Sequence, residues 1–596
     1  MKKYYNTLII GTGCAGYNAA YRLMRLGVSD IAVITEGRFM GTSRNTGSDK
    51  QTYYKLSLAG EDADSVREMA QTLYDGGGVM GEHAMVEAAY SVRAFMNLVE
   101  LGVPFPCNEY GEYAGYKTDH DPRRRATSCG PLTSKYMTEA LESAVIGMGV
   151  EIIDMQRVIK ILTKDGKVCG IAAVSVYNGD LTVLQCSNVI LCTGGPAGIY
   201  ENTVYPESQH GATSLAIDAG ASLSNLEEWQ YGIASTAFRW NLSGTYQQVL
   251  PTYISVSPDG EEREFLFDTL GKRSLGMIFL KGYQWPFDVR KANDSSIVDL
   301  LCAEETKKGN RVYLDFRRNP RGLENGFEAL SEEAYDYLNN SNALFGTPIE
   351  RLSKMNEGAI ELYASHGIDL YSERLEIAVC AQHCNGGVTV DGAWQTEIEG
   401  LYAAGEAAGT FGVYRPGGSA LNSTQVGSIR ASEHIASRGT VIPESTDYKL
   451  PEIKYGESNV MSLMKELQHE MSCAADFDRN LGKMRELYKK VSYLADDFFN
   501  VAVISDNYEM NSLFKLYDTV LTQRSVLSAM ICSGEVIGSH GSAFVDRKPA
   551  KDSEKRTTRT VTRGGVSELC NVSPLPNGEL WFEKLLARSR TSKKGI

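Results

Sequence analysis

Clustered cysteine is missing from this chain. Its twelve Cys are spread over 596 residues, none at CxxC spacing, and the closest pair, Cys380 and Cys384, has three residues between its members. That sparseness excludes a disulfide framework and fits scattered thiols in a reducing cytoplasm. It also removes the clustered thiolates by which an iron–sulfur centre of the chain's own would announce itself. Positive charge is short as well: a net charge of −14 argues against a nucleic-acid binder, which needs a basic footprint to displace counterions. No run of about 18 apolar residues occurs, so membrane insertion is not expected. The opening MKKYYNTLIIGTG reaches Gly11 after a short apolar run and has no small-residue cleavage site, unlike a secretory leader. Proline is scarce, 17 residues against 58 glycines, which points to tight turns and close backbone approaches rather than Pro-rich linkers. With 43% hydrophobic and 22% charged residues the composition is globular, and the length implies two or three domains.

What is present starts with a βαβ unit. Thr7–Ile10 is a short apolar strand, Gly11–Gly16 reads GTGCAG, Tyr17–Leu26 suits a helix, and a second strand, Ile31–Thr35, ends at Glu36. A helical region from about Asp64 to Leu101, the polar loop TDHDPRRRATSCGP and a helix Ser134–Met148 follow. Strands Glu151–Asp154, Val158–Thr163 and Gly170–Tyr177, with turns at Asp165-Gly166 and Asn178-Gly179, read as a hairpin sheet covering the first domain. Asn188–Cys192 is another buried strand. From about Trp240 to Arg374 the glycine-punctuated pattern gives way to aromatic, charged and short helical segments, as in an inserted cap. Strand signals resume at Val388–Val390 and Gly400–Ala404. Val460, Leu463, Met464, Leu467 and Met471 then recur at helix spacing, as does a run over roughly Asn511–Ile531.

The expected division is a nucleotide domain over 1–239, a cap over 240–374, the nucleotide domain resumed over 375–445, a helical domain over 455–545 and a tail over 546–596. Twelve Lys or Arg against five Asp or Glu follow Asp546. A basic tail on an acidic body is read as a strap packed on its own protein rather than a grip on an anionic partner.

Gly11-Thr12-Gly13-Cys14-Ala15-Gly16 is GxGxxG between a strand and a helix. Gly11 permits the turn, Gly13 lets a pyrophosphate approach the backbone, and Gly16 lets helix and strand pack closely. The helix N-terminus offers unpaired N–H groups to the phosphates. Glu36, 20 residues after Gly16, is placed to accept hydrogen bonds from a ribose. With Val189-Ile190-Leu191-Cys192-Thr193-Gly194-Gly195 and Gly400-Leu401-Tyr402-Ala403-Ala404-Gly405-Glu406, the chain resembles the flavoprotein family of succinate dehydrogenase, fumarate reductase and aspartate oxidase. The likeness extends through Tyr200–Asp218, Arg311–Asp315 and the C-terminal helices up to Glu535 and His540.

This resemblance implies an α/β fold: a Rossmann-like FAD-binding domain, interrupted by an α+β capping domain and followed by a C-terminal helical domain. It implies that Gly11, Gly13, Ala15 and Gly16 cradle the FAD pyrophosphate and that Glu36 holds the adenosine ribose. Ser43, Thr46 and Gly47 would line the isoalloxazine, Thr193 and Gly194 the adenosine side, and Glu406 the ribityl chain, with Gly41, Thr42 and Gly405 also in contact with the cofactor. Ser419, Ala420 and Leu421 would offer backbone groups near the flavin pyrimidine. Members of membrane complexes tether FAD through a His in the glycine-rich stretch after the ribose-binding acid. The first His here is His83, so FAD is expected to be noncovalent. No metal ligands are expected.

The substrate side departs from the family. The RGEGG-like cap segment, whose Arg delivers the proton in fumarate reductases, is replaced by QQVLPTYISVSPDGEEREFL. The HYxMGG-like loop is replaced by Gln382-His383-Cys384-Asn385-Gly386-Gly387, one residue shorter, which displaces His383 by one position. Arg415, in Tyr414-Arg415-Pro416-Gly417-Gly418, matches the substrate-binding Arg, and its planar fork suits a carboxylate. His383 can donate a hydrogen bond or a proton near neutral pH. Arg124, in the DPRRR run, could reach the same pocket. The segment Lys281–Asp288 offers Tyr283 or Lys281 as a replacement acid and Trp285 as a flat-ring contact, with core packing equally open for Trp285 and Phe287.

The resemblance then implies an FAD-dependent oxidoreductase that reduces an activated C=C bond of a carboxylate-bearing small molecule by hydride transfer from flavin N5. Two alternatives stay open. One is a dehydrogenase or oxidase of a saturated acid or amino acid. The other is the flavoprotein subunit of an electron-transfer complex, like adenylylsulfate reductase, with its iron–sulfur or ferredoxin-like partner on another chain. The one other GxGxxG, Gly76–Gly81, lies inside the helical region and follows no strand, which argues against direct NAD(P)H oxidation.

Overall fold

The computed structural model describes residues 4–592 apart from 61–62, 325, 440, 445–446 and 551–555. Strand β1 (Tyr4–Ile10) enters helix α1 (Cys14–Arg25) through the glycine turn, and β2 (Ile31–Ile34) runs parallel to β1 with Thr7 opposite Ile31. Every residue of β2 is buried, as are Leu8 and Ile9 of β1, which is the pattern of parallel strands covered on both faces. The glycine turn is fixed by contact as well as by conformation. Gly11 has φ +111, and a Cβ there would meet Cys192 O at 2.4 Å; a Cβ on Gly16 would meet Gly11 O at 1.9 Å. Behind the turn, α1 packs on the helix Ser419–Arg438, with Asn18 Nδ2 donating to Gln425 O at 3.0 Å and Ser428 Oγ donating to Ala15 O at 2.8 Å.

The sheet runs in the order Glu151–Ile153, β2, β1, Leu181–Leu191, Lys167–Ser175, Gln156–Lys164. The hairpin expected to cover this domain is therefore part of its sheet. Leu181–Leu191 is long enough to serve two partners along one edge. Its first half pairs with Lys167–Ser175, Gly170 opposite Gln185, and its second half with Leu401–Ala403, Val189 opposite Leu401.

The cap is a six-stranded sheet with its own core, including Trp240, Tyr246, Phe265, Leu275 and Leu314. Two of its strands, Trp229–Ser235 and Leu375–Cys384, come from outside the expected 240–374 segment and pair antiparallel. The two chain crossings between the domains thus form one ribbon. Its ladder slips once: Gln230 faces His383 while Tyr231 faces Ala381, leaving Gln382 as the extra residue of a β-bulge.

Helices Val460–Ala475, Leu481–Asp496 and Met510–Val536 follow, and the last brings Lys515 Nζ within 3.3 Å of Glu36 Oε2 beyond the end of β2. The described part of the basic tail includes a hairpin packed on the body of the protein. Thr558–Arg563 and Val566–Asn571 form a hairpin on Leu223–Ser224, Val561 opposite Ser224, and Arg556 pairs with the buried carboxyl groups of Glu227 and Glu228. Residues 551–555 and 593–596 of that tail lie outside the described residues. Among the described residues no helix is long and apolar enough to cross a membrane.

Candidate active site and cofactor cleft

A cavity of about 700 Å³ reaches from the end of β1 to the cap. Of the residues expected to contact FAD, all but Gly16 and Ser419 line it. Gly16 acts one layer back, by letting α1 close on the turn. Ser419 is buried, its hydroxyl donating to Pro416 O at 2.8 Å, where it closes the turn ahead of its helix.

The cradle fits a dinucleotide pyrophosphate. Gly13 is the N-cap of α1 and contributes no capping side chain, so first-turn N–H groups are left to an anion; Cys14 N–H alone is drawn off, to Ser43 Oγ at 3.2 Å. A Cβ on Gly13 would lie 3.2 Å from Ser43 Oγ, which reserves the approach for bare backbone. Thr42 Oγ1 is buried without a hydrogen-bond partner on the same wall. Gly194 and Gly405 both line the cavity at φ +70, a conformation that only glycine adopts freely.

Two carboxyl groups mark the ends of this wall. Burial raises the Glu36 carboxyl, but the adjacent Arg157 guanidinium, with Lys515 and His210, brings it below the usual carboxylate range and keeps it an ionised acceptor. Burial pushes the Glu406 carboxyl up to about 7, although Tyr205 O–H and, at 3.0 Å, Cys384 N–H both donate to its Oε1.

On the substrate side Arg415 is held by neutral groups. Its Nε donates to Asn385 Oδ1 at 3.1 Å and its Nη2 to Gln230 Oε1 at 2.6 Å, with the guanidinium over the Phe411 ring. Burial lowers it to about 10, so it remains a cation at neutral pH. His383 Nδ1 lies 3.0 Å from the same Asn385 Oδ1. Because Asn385 Nδ2 donates to Gly412 O at 2.7 Å, its Oδ1 is the atom facing both partners, and His383 must present Nδ1–H to it. The other ring nitrogen, Nε2, is then the bare one; it is buried, unpartnered and 3.9 Å from Glu406 Oε1. Burial and the Arg415 charge hold His383 well below the usual imidazole range, so the ring is neutral. The expectation of a donating His383 is thereby reversed: towards the cavity it accepts.

Two other sequence candidates, Arg124 and Lys281, are placed differently from expectation. Arg124 is exposed and does not line the cavity; the buried member of that run is Arg125, paired with Asp64 at 2.7 Å and Asp121 at 2.9 Å. Lys281 is not an acid in the cavity but a fully buried partner of Asp299 at 2.7 Å, and its Nζ donates to Trp285 O at 2.6 Å, fixing the loop that carries that ring. Tyr283 lines the cavity while half-exposed, with its hydroxyl donating to Glu333. Trp285 lines the cavity, whereas Phe287 packs in the core against Phe477, ring centroids 4.8 Å apart.

Sequence reasoning passed over Gln230, Gln382 and Asp49. An unbroken strand would turn Gln382 away from the face that His383 occupies; the bulge brings both to the cavity, and the sequence pattern does not mark it. Asp49 accepts from Thr245 N–H at 2.8 Å and from its hydroxyl at 3.0 Å, tying the cofactor domain to the cap.

Residues 6–421 match the family described as FAD binding domain. The chain is 26% identical over 554 residues to one subunit of a fumarate reductase (CoM/CoB) from Methanothermobacter marburgensis, covering 90% of this chain and 93% of that protein. It is 27% identical over 443 residues to an L-aspartate oxidase of Agrobacterium fabrum, covering 72% and 74%. Among solved structures, a variant of the FrdA chain of E. coli quinol fumarate reductase superposes with a TM-score of 0.70 over 97% of both chains at 18% identity. Adenylylsulfate reductase of Archaeoglobus fulgidus gives a TM-score of 0.65, again over 97% of both, at 16% identity. At those identities the two structures speak for the fold. The family match spans the glycine turn, the Thr193-Gly194 wall, the cap and Arg415. The chain therefore belongs to the FAD binding domain family and is an FAD-dependent oxidoreductase of the fumarate reductase and aspartate oxidase type.

Proposed function

We propose that the protein reduces an activated C=C bond of a carboxylate-bearing substrate. The observation that carries this reading is Arg415, a buried cation whose hydrogen-bond partners are neutral amides, in the same cavity as the cofactor cradle. Burying a guanidinium is costly, the neighbouring Glu406 and Glu87 carboxyl groups are themselves pushed towards neutrality, and a substrate carboxylate across its fork would offset that cost. Bound FAD would supply the hydride that, with one proton, saturates the bond. Glu406 Oε1, 3.9 Å from the bare His383 nitrogen, completes the polar wall beside Arg415. Trp285 and Tyr283 wall the cavity from the cap and limit water. FAD would be held noncovalently: His83 lies outside the cavity lining, its Nε2 3.2 Å from Asp391 O. Anaerobically reduced enzyme should be reoxidised by at least one of a panel of unsaturated monocarboxylates and dicarboxylates, and Arg415→Ala should abolish that reaction. Failure of the whole panel would end this reading.

The bare His383 Nε2 favours a second reading, since an acceptor at that point would suit removal of a proton from a saturated acid or amino acid. Bleaching of the oxidised flavin by such a compound, without added reductant, would select it. In either direction we infer that electrons are exchanged with a separate iron–sulfur or ferredoxin-like protein. The relative from Methanothermobacter marburgensis supports this, because its name makes it one component of a multi-chain fumarate reductase. Co-purification of such a protein tests it.

A further inference from the structure

We propose that the substrate is a monocarboxylate whose other end is an uncharged carboxamide-like group read by Gln382. The inference rests on the reading that Arg415 takes the carboxylate. Gln382 is 6% exposed and lines the cavity, yet neither its Oε1 nor its Nε2 has a hydrogen-bond partner. A buried amide left wholly unpaired is costly, so its donor and acceptor call for a ligand that answers both. The side chain is there by construction: Gln382 is the extra residue of the bulge in the ribbon that joins cofactor domain and cap.

The space around it is shaped to match. A Cβ on Gly232 would lie 3.1 Å from Gln382 Nε2, 3.2 Å from its Oε1 and 3.3 Å from Trp285 Cε2, so a bare glycine brings the amide and the indole to one spot. Trp285 Nε1 is also buried without a partner. The buried polar atoms without a partner here are the donor and acceptor of Gln382, the indole N–H and the bare Nε2 of His383, all of them neutral. Of the Lys and Arg side chains that line the cavity, Arg157 is paired with Glu36, and Lys50 and Lys117 are exposed. Among the described residues that leaves Arg415 as the buried cation facing the substrate.

A second carboxylate would therefore be buried against neutral groups alone, which is unfavourable. A carboxamide presents C=O and NH₂ side by side. It can donate to Gln382 Oε1 and accept from Gln382 Nε2 in one reciprocal pair, with a further acceptor lone pair for the indole N–H and a further donor for His383 Nε2.

The test uses matched pairs on the purified holoenzyme: succinate against succinamate for binding, followed by perturbation of the flavin absorbance, and fumarate against fumaramate for anaerobic reoxidation. Succinamate should bind at least about tenfold more tightly than succinate, since a site built to hydrogen-bond a group discriminates strongly against analogues that leave it unpaired. Gln382→Leu should erase that preference, and Gln382→Arg should invert it. Equal or tighter binding of succinate by the wild type, or an amide preference that survives Gln382→Leu, would overturn the assignment, and the wild-type comparison stands even if a variant fails to fold. If no enoate reoxidises the flavin while succinamate still outbinds succinate, the reductase reading falls and the pocket assignment holds. If enoates react and the dicarboxylates win, the reverse is true.

Discussion

Glu87 provides a test of the electrostatics behind the substrate site. It sits on the helix Gly81–Glu100, is 4% exposed, accepts from Ser423 Oγ at 2.9 Å and shares a small internal cavity with Thr410 and Arg415. Burial pushes its carboxyl from 4.5 up to about 7, with hydrogen bonds from Ser423 and Thr410 and the Arg415 charge limiting the rise. At about 1.36 kcal/mol per tenfold change in proton affinity, that difference corresponds to about 3 kcal/mol. The native chain holds this proton where the unfolded chain has already lost it, so between about pH 4.5 and 7 unfolding releases a proton. Stability falls as the pH rises through that window and stays lower above it. Glu87→Gln keeps an acceptor for Ser423 but cannot ionise. It should melt close to the wild type near about pH 4.5 and be more stable by about 3 kcal/mol near about pH 8. Thermal melting of both holoenzymes across that range measures the difference, and Glu406, which titrates in the same window, is common to both and cancels. A difference in melting temperature that is the same at both ends of the range would refute the reasoning.

Gly16→Ala places a Cβ 1.9 Å from Gly11 O, and the purified variant should carry little flavin; a wild-type ratio of flavin absorbance to protein would contradict this. Lys281→Met leaves Asp299 buried without its cation and should cost about 3–5 kcal/mol in denaturant unfolding. Lys281→Met with Asp299→Leu should recover most of that loss, and additive losses would show the pair to be uncoupled. Arg556→Ala strips the counter-charge from Glu227 and Glu228 and should make the hairpin Thr558–Asn571 the first site of limited proteolysis, with unchanged cleavage as the contrary result.

The cofactor half of the site is legible in the sequence because its constraints fall on the backbone. Gly11 must take a positive φ and Gly16 must let a carbonyl pass; only one residue type does either, and helix and strand geometry set the spacing between them. Glu36 is readable for the same reason, since the end of a second parallel strand is a fixed place. The hairpin's membership of the main sheet is not readable, because strand patterns show which residues alternate and not which edge will receive them; the answer lies in the length of Leu181–Leu191. Lys281 in an aromatic, polar run resembles an acid in a pocket, but its partner Asp299 stands on a later helix at no characteristic spacing. In the run Arg123–Arg125 no periodicity tells which side chain turns inward, and the two acids that claim Arg125 decide it.

The substrate half is built from side chains at 230, 285, 382, 383 and 415, which meet because two strands cross between domains and slip by one residue. A bulge changes which side chains reach the cavity while leaving the ladder on either side in place, so the cofactor cradle can stay fixed as the acceptor pocket changes. That slip sets Gln382 and His383 side by side on the cavity wall. Gln382, which in the sequence is only a neighbour of His383, is therefore the residue at which the proposed amide preference is to be tested.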